Sequence, residues 1–261
     1  MSSTRHREVA RRCKKEPRFM KAVCLWSGPR NVSTALMYSF AERPDTRVVD
    51  EPLYGHFLRV TGTLHPGREE VLASVECDGN LVIDELLAGS HGDPEVLFMK
   101  QMAHHLVGLD RRFLSRTTNF LLIRDPRQML PSLAMQLPQA TLADTGLETQ
   151  WQLYEELTAA GQTPAIIDSR ELLLDPHAVL RQLCEHLDIR FYEDMLSWPP
   201  GARDEDGIWA PHWYHAVHKS TGFAPYVHKK KFPERLRPLL AECTPWYGKL
   251  YEHAIRADCT D

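Results

Sequence analysis

Residues 21–40, KAVCLWSGPRNVSTALMYSF, decide the architecture. Lys21–Trp26 is an almost unbroken apolar run, as expected for a strand covered on both faces. It ends in Ser27-Gly28-Pro29-Arg30-Asn31-Val32-Ser33-Thr34, and a helical pattern runs from Ser33 to Ala41. Gly28 allows close backbone approach, and Pro29 fixes the direction of entry. Free backbone N–H groups around Ser33 and Thr34, with the helix dipole, make a place for an anion. Arg30 adds a planar cation suited to oxyanions. A plain strand–turn–helix with Ser33 as N-cap accounts for the same residues without a ligand. The spacing is close to the Walker loop G-x-x-x-x-G-K-[ST]. Here Ser33 and Thr34 stand where glycine and lysine belong, and Ala35 where the Mg²⁺-binding hydroxyl belongs. The pattern predicts a phosphate-gripping loop without the magnesium arrangement of an ATPase.

The same alternation continues outward. Strands are expected at Lys21–Trp26, Arg47–Asp50, Val96–Met102, Asn119–Ile123 and Ala165–Asp168. Helices are expected at Ser33–Ala41, Arg68–Glu76, Asn80–Ala88, Pro126–Gln136, Leu147–Ala160, Pro176–Leu187 and Glu234–Ala257. The fold class is α/β: three α/β/α layers around a parallel sheet of about five strands. Right-handed crossovers bring all strand carboxyl ends to one edge, where ligands of open sheets bind. Residues 198–232, rich in Pro, Gly, His and Trp, read as a long functional loop.

The bulk properties narrow the function classes. The chain has 261 residues, 43% of them hydrophobic, with a net charge of −4. No global charge drives it onto nucleic acid or an anionic membrane, so an anion must be held by local groups. No apolar run is long enough for a membrane span. The six cysteines show no C-x-x-C spacing, so no metal site is expected and a reducing, cytoplasmic setting fits. Residues 1–19 are basic and lack the apolar core of a secretory signal, which suggests a solvated tail or a short surface helix. Residues 20–261 are expected to form one domain, and a homodimer is left open.

NFLLIRDPRQMLPSLAMQ repeats the layout at a second strand end. Arg124 closes the strand, Asp125-Pro126 starts a helix, and Ser132 follows Arg124 by eight residues. An arginine at a strand end and a helix hydroxyl can converge on one phosphate. Equally, Arg124 can pair with a carboxylate while Ser132 is helix surface. Pro131 should kink this helix or tighten its first turn.

Together the two constellations resemble the sulfotransferase family that uses 3′-phosphoadenosine 5′-phosphosulfate (PAPS). Pro29-Arg30-Asn31-Val32-Ser33-Thr34 is similar to the family's P-[KR]-S-G-T-T loop for the 5′-phosphosulfate. Arg124…Ser132 is similar to its R-x₇-S pair for the 3′-phosphate. SRELLLDPHAVLRQLCEHLDI (169–189) and HKSTGF (218–223) resemble two further segments. The resemblance implies strand order 2-3-1-4-5, PAPS as co-substrate, no metal in the chemistry, and a small-molecule acceptor. It assigns Gly28, Pro29, Arg30, Asn31, Val32, Ser33, Thr34, Arg124, Ser132, Lys219, Thr221 and Gly222 to cofactor binding, with Arg30 also countering charge on the leaving oxygen. Lys219 and the Lys229-Lys230-Lys231 run could grip the 3′-phosphate or close over the cofactor, or the run could be plain solvated surface. Val32 replaces the loop glycine, and Ser169 stands where many relatives carry an adenine-facing tyrosine. Adenine stacking would then fall to Trp209 or Trp213.

A hydroxyl or amine acceptor needs a general base. Glu51, after the second strand, is the favoured candidate, with His104 and His105 as acceptor-site groups or alternative bases. Glu51 could instead cap the helix after Pro52, and either histidine could be structural. Asp50 is a second carboxylate, but neighbours in a strand point to opposite faces, which argues against a shared dyad. The rival functions are a nucleotide kinase-like phosphotransferase using ATP and a non-catalytic nucleotide-binding protein.

Overall fold

The computed structural model describes residues 20–89, 94–228 and 231–257. The 1–19 tail, Cys13, Cys259 and the Lys229-Lys230 pair lie outside the described residues.

Six strands form one sheet: β1 (Lys21–Ser27), β2 (Thr46–Asp50), β3 (Val96–Met102), β4 (Thr118–Ile123), β5 (Ala165–Asp168) and β6 (Ala254–Ile255). Their order is β2-β3-β1-β4-β5-β6, and every pairing is parallel. The expected five strands stand in the expected order. The sixth lies within the span expected for the last helix, Glu234–Ala257: the helix stops at Glu252, and Ile255 then pairs with Ile167. A two-residue edge strand has no period for a pattern to reveal.

The strands are buried on both faces, which explains their apolar runs. Cys24, Trp26, Met99, Leu121 and Ile123 belong to one core. Helices α5 (Pro126–Gln136), α7 (Leu147–Ala159) and α11 (Arg237–Glu252) cover it through Leu130, Leu133, Leu153, Leu157, Leu240 and Leu250. Val23, Leu25, Phe98, Phe120 and Leu122 form the other core. Helix α1 (Ser33–Ala41) and a later helix at Pro176–His186 cover that face. Phe40 of α1 stacks on Phe98 at 4.1 Å. Each such side chain, withdrawn from water, contributes about 1.5–3 kcal/mol.

Among the described residues, four α-helices fall outside the expected ones: Tyr54–Thr61, Leu142–Thr145, Ser169–Leu174 and Ala210–Trp213. Tyr54–Thr61 is helical although Pro52 and Gly55 obscure its pattern; it forms because Tyr54, Phe57 and Leu58 are buried. Ser169–Leu174 begins directly at β5, where the Asp168 carboxylate caps Arg170 N. Pro131 does not break α5, which runs on to Gln136. Residues 198–228 are ordered rather than a bare loop. They hold a short helix at Ala210–Trp213, a tight turn at Val217–Lys219 and a bridge between Ser197 and Gly222. Trp209 and Tyr214 are buried with Tyr54, Phe57 and Leu58 in a third cluster. This segment lays a wall across the carboxyl edge of the sheet.

Candidate active site

At the carboxyl edge, β1 enters its loop through Gly28, and a Cβ there would lie 2.4 Å from Thr145 O. Any larger residue there must push the Thr145 backbone aside. Gly28 is buried behind the loop, and the cavity lining begins at Pro29. Arg30 and Val32 both adopt left-handed backbone, with φ of 63° and 62°. Val32, not Ser33, is the N-cap of α1, and its side chain makes no cap bond. The first-turn N–H groups of α1 are therefore left for another partner. Ser33, Thr34 and Ala35 line the cavity at this point.

Strain of this kind persists only where the surroundings fix it. Buried Asn31 donates through Nδ2 to Leu122 O at 3.0 Å. The Ser169 hydroxyl lies 2.9 Å from Asn31 O and 2.8 Å from Ile123 O, tying the loop to the ends of β4 and β5. Ser169 thus serves as a lock on the loop, where the resemblance offered an adenine-facing tyrosine.

The two arginines meet. Arg124 Nη1 donates to Arg30 O at 2.7 Å, and Arg30 Nε donates to the Ser132 hydroxyl at 3.0 Å. Burial pulls both guanidinium groups below their ordinary pKa, although an arginine remains charged throughout. Among the described residues no carboxylate forms an ion pair with either. Two partly desolvated cations, a hydroxyl and a helix N-terminus border one cavity of about 450 Å³. That arrangement suits a multiply charged anion.

The other half of the cavity is different. It is lined by Tyr54, Phe57, Leu64, His65, Trp209 and Trp213. Trp209 donates through Nε1 to Tyr214 OH at 3.3 Å, on the β2–β3 side. Arg124 and Ser132 stand at the end of β4 and on the helix that follows it. Phe223 and Ala224 line the cavity from the late segment, and Tyr226 lies within the electrostatic reach of Arg124. Gly222 also lines it, whereas Lys219 and Thr221 are exposed and do not.

Between the halves sits a buried charge cluster. Lys100 Nζ donates to Asp50 Oδ1 at 2.8 Å, Glu51 Oε1 at 2.5 Å and Tyr214 OH at 2.7 Å. Tyr214 in turn donates to Asp50 Oδ2 at 2.7 Å, and Gly207 N reaches the same oxygen at 3.1 Å. The two carboxylates do converge, against the expectation from strand alternation. Glu51 has left the strand: its φ is 38°, which swings the side chain round to Lys100. Nor does Glu51 cap a helix, since Leu53 holds that place. Burial and Asp50 push the Glu51 carboxyl up, while Lys100 opposes them. Lys100 is held well above its ordinary range because both carboxylates outweigh its burial.

His104 and His105 follow β3 and line the cavity. His105 stacks on Phe57 at 4.6 Å and on Tyr54 at 5.3 Å. The Nδ1 atoms of both histidines are buried without a partner. Burial lowers His104 to about 4 and His105 well below its ordinary value, so both rings are neutral near pH 7. Lys100, Tyr214 and His65 were missed in the sequence. For Lys100 a signal existed: a lone charge inside the apolar strand VLFMKQM.

Known proteins carry the same architecture. A sulfotransferase domain from the curacin biosynthetic pathway superposes with a TM-score of 0.51 at 17% identity, over 90% of this chain and 98% of its own. A sulfotransferase from Alicyclobacillus acidocaldarius gives 0.54 at 15% identity, over 89% and 94%. At such identities the likeness speaks to the fold. Branched-chain-amino-acid aminotransferase-like proteins 2 and 1 of Arabidopsis thaliana are 42% and 44% identical over 236 and 230 residues. Those stretches cover 90% and 87% of this chain but 42% and 41% of the relatives, so the chain spans about two fifths of their length. The family profile described as Sulfotransferase domain matches residues 20–254, and the chain belongs to that family.

Proposed function

We propose that the protein is a PAPS-dependent sulfotransferase acting on a hydroxyl or amine of a small-molecule acceptor. One observation carries this reading: Arg30, Arg124 and Ser132, joined by short hydrogen bonds, share a cavity with the N-terminus of α1. Arg124 and Ser132 would hold the 3′-phosphate. Ser33, Thr34 and the first-turn N–H groups would hold the 5′-phosphosulfate. Arg30 stands between the two sets and would neutralise charge gathering on the leaving oxygen. Bound PAPS supplies an activated sulfuryl group at its 5′-phosphate. Glu51, at the cavity wall, would accept the acceptor's proton as the new bond to sulfur forms and the bond to the bridging phosphate oxygen breaks. The catalytic power would come from in-line positioning and from charge already oriented in a partly desolvated site. His104 and His105, as neutral rings beside Phe57, would shape the acceptor side; a ring held near 4 is a weak base. Cys24, Cys77, Cys184 and Cys243 are free thiols, which supports a reducing, cytoplasmic setting.

The test compares 3′-phosphoadenosine 5′-phosphate with ATP–Mg²⁺ by thermal unfolding. A ligand at about 100 times its Kd adds about 2.7 kcal/mol of stability. The bisphosphate should stabilise the protein and ATP–Mg²⁺ should not. Arg124→Ala should remove the effect. Stabilisation by ATP–Mg²⁺ alone would favour a phosphotransferase instead.

A further inference from the structure

The buried cluster behind Glu51 is asymmetric. Asp50 accepts three hydrogen bonds, from Lys100, Tyr214 and Gly207 N. Glu51 is bonded to Lys100 across 2.5 Å, and its side chain keeps 13% of its surface open against 1% for Asp50. One ammonium therefore serves two carboxylates, and the better-held one faces away from the cavity. With Asp50 absent, all of the Lys100 charge would fall on Glu51. A carboxylate paired so tightly in a buried site would be a poor proton acceptor.

We propose that Asp50 is a positioning residue for the transfer: by sharing Lys100 and engaging the Tyr214 hydroxyl, it keeps Lys100 from pairing fully with Glu51 and leaves Glu51 able to take a proton at the cavity wall. This rests on the reading of Glu51 as the base. The charged and titratable groups around Glu51 come from each packed element. They are Lys100 from β3, Asp50 from β2, Tyr214 from the late segment and Tyr54 from the helix that follows Glu51. Of these, Asp50 is the neighbour that competes with Glu51 for its cation. Tyr214 also binds the late segment to this cluster, so the wall of the acceptor half and the base share one set of hydrogen bonds.

The test is a carboxyl titration by carbon-13 NMR of protein labelled at the glutamate side-chain carboxyl, with the Glu51 signal assigned by its loss in Glu51→Gln. In Asp50→Asn the shape is kept and the competing charge is gone, so the Glu51 midpoint should fall by about one to two pH units. In Asp50→Glu the competing charge is kept, so the midpoint should stay near that of the wild type. A role confined to packing would shift both variants alike, since both replace the Asp50 side chain. An Asp50→Asn midpoint that stays or rises overturns the proposal. If that variant does not fold, Asp50→Ser, which also removes the charge, decides, and an unchanged or raised midpoint overturns it. The titration needs neither nucleotide nor acceptor. It can therefore fail while bisphosphate binding stands, and bisphosphate binding can fail while it succeeds.

Discussion

Lys100→Met is the sharpest probe of the charge cluster. Lys100 is 1% exposed and bonds two carboxylates and a tyrosine at 2.5–2.8 Å. Methionine follows the lysine chain as far as Cε and removes the charge, which leaves Asp50 and Glu51 side by side without a cation. Removing one partner of a buried pair costs about 3–5 kcal/mol. Glu51 can relax toward the cavity, so the loss should be about 4 kcal/mol at neutral pH, from a total of roughly 5–15 kcal/mol. The pH dependence has a definite sign. Burial already pushes the Glu51 carboxyl up in the wild type. Without Lys100 it rises further, so the folded state binds more protons than the unfolded chain. The stability tied to this group is then fully present below the unfolded value, near 4.5, and is lost as pH rises through the folded one. Urea unfolding followed by tryptophan fluorescence at about pH 5.5 and about pH 8 reads both effects. The gap between wild type and variant should widen toward the alkaline end. A loss under about 1 kcal/mol at the higher pH, or a gap that narrows, would refute the reasoning.

Other perturbations give further checks. Gly28→Ala places a methyl 2.4 Å from Thr145 O, so chemical denaturation should show a loss of about 1–3 kcal/mol through overpacking. His104 is held at about 4 against an ordinary 6.5, so its neutral burial favours folding above 6.5, and that stability is lost as pH falls through 4. His104→Phe should reduce the loss of stability between pH 7 and about 4.5 by about 2 kcal/mol. His105, also depressed, keeps part of that slope. Lys219→Ala removes an exposed cation outside the cavity lining and should leave bisphosphate affinity within about twofold, measured by calorimetry.

Much of this architecture was legible because it is periodic or punctuated. Val96–Met102 and Ala165–Asp168 read as buried strands because both of their faces are covered. Arg30, Arg124 and Ser132 stood out because loop and strand-end chemistry is local in sequence. The charge cluster was not legible, because its members lie far apart in the chain: Asp50, Lys100 and Tyr214 meet only through folding. The strand-alternation rule misled at Glu51, since the rule holds only while the backbone stays extended, and φ turns positive there. The HKSTGF motif marks a turn, but which of its side chains face the cavity depends on how Ser197 pairs with Gly222.

The central claim is that Arg124 and Ser132 grip one end of a nucleotide whose other end sits on the loop after β1. Isothermal calorimetry of 3′-phosphoadenosine 5′-phosphate against 5′-AMP, on wild type and on Arg124→Ala, tests it most directly. Charge-assisted bonds to the 3′-phosphate contribute about 1.5–3 kcal/mol each, so wild type should prefer the bisphosphate by about 100-fold. In Arg124→Ala that preference should largely vanish while 5′-AMP affinity changes little. Equal affinity of the wild type for both nucleotides, or an undiminished preference in the variant, would contradict the account.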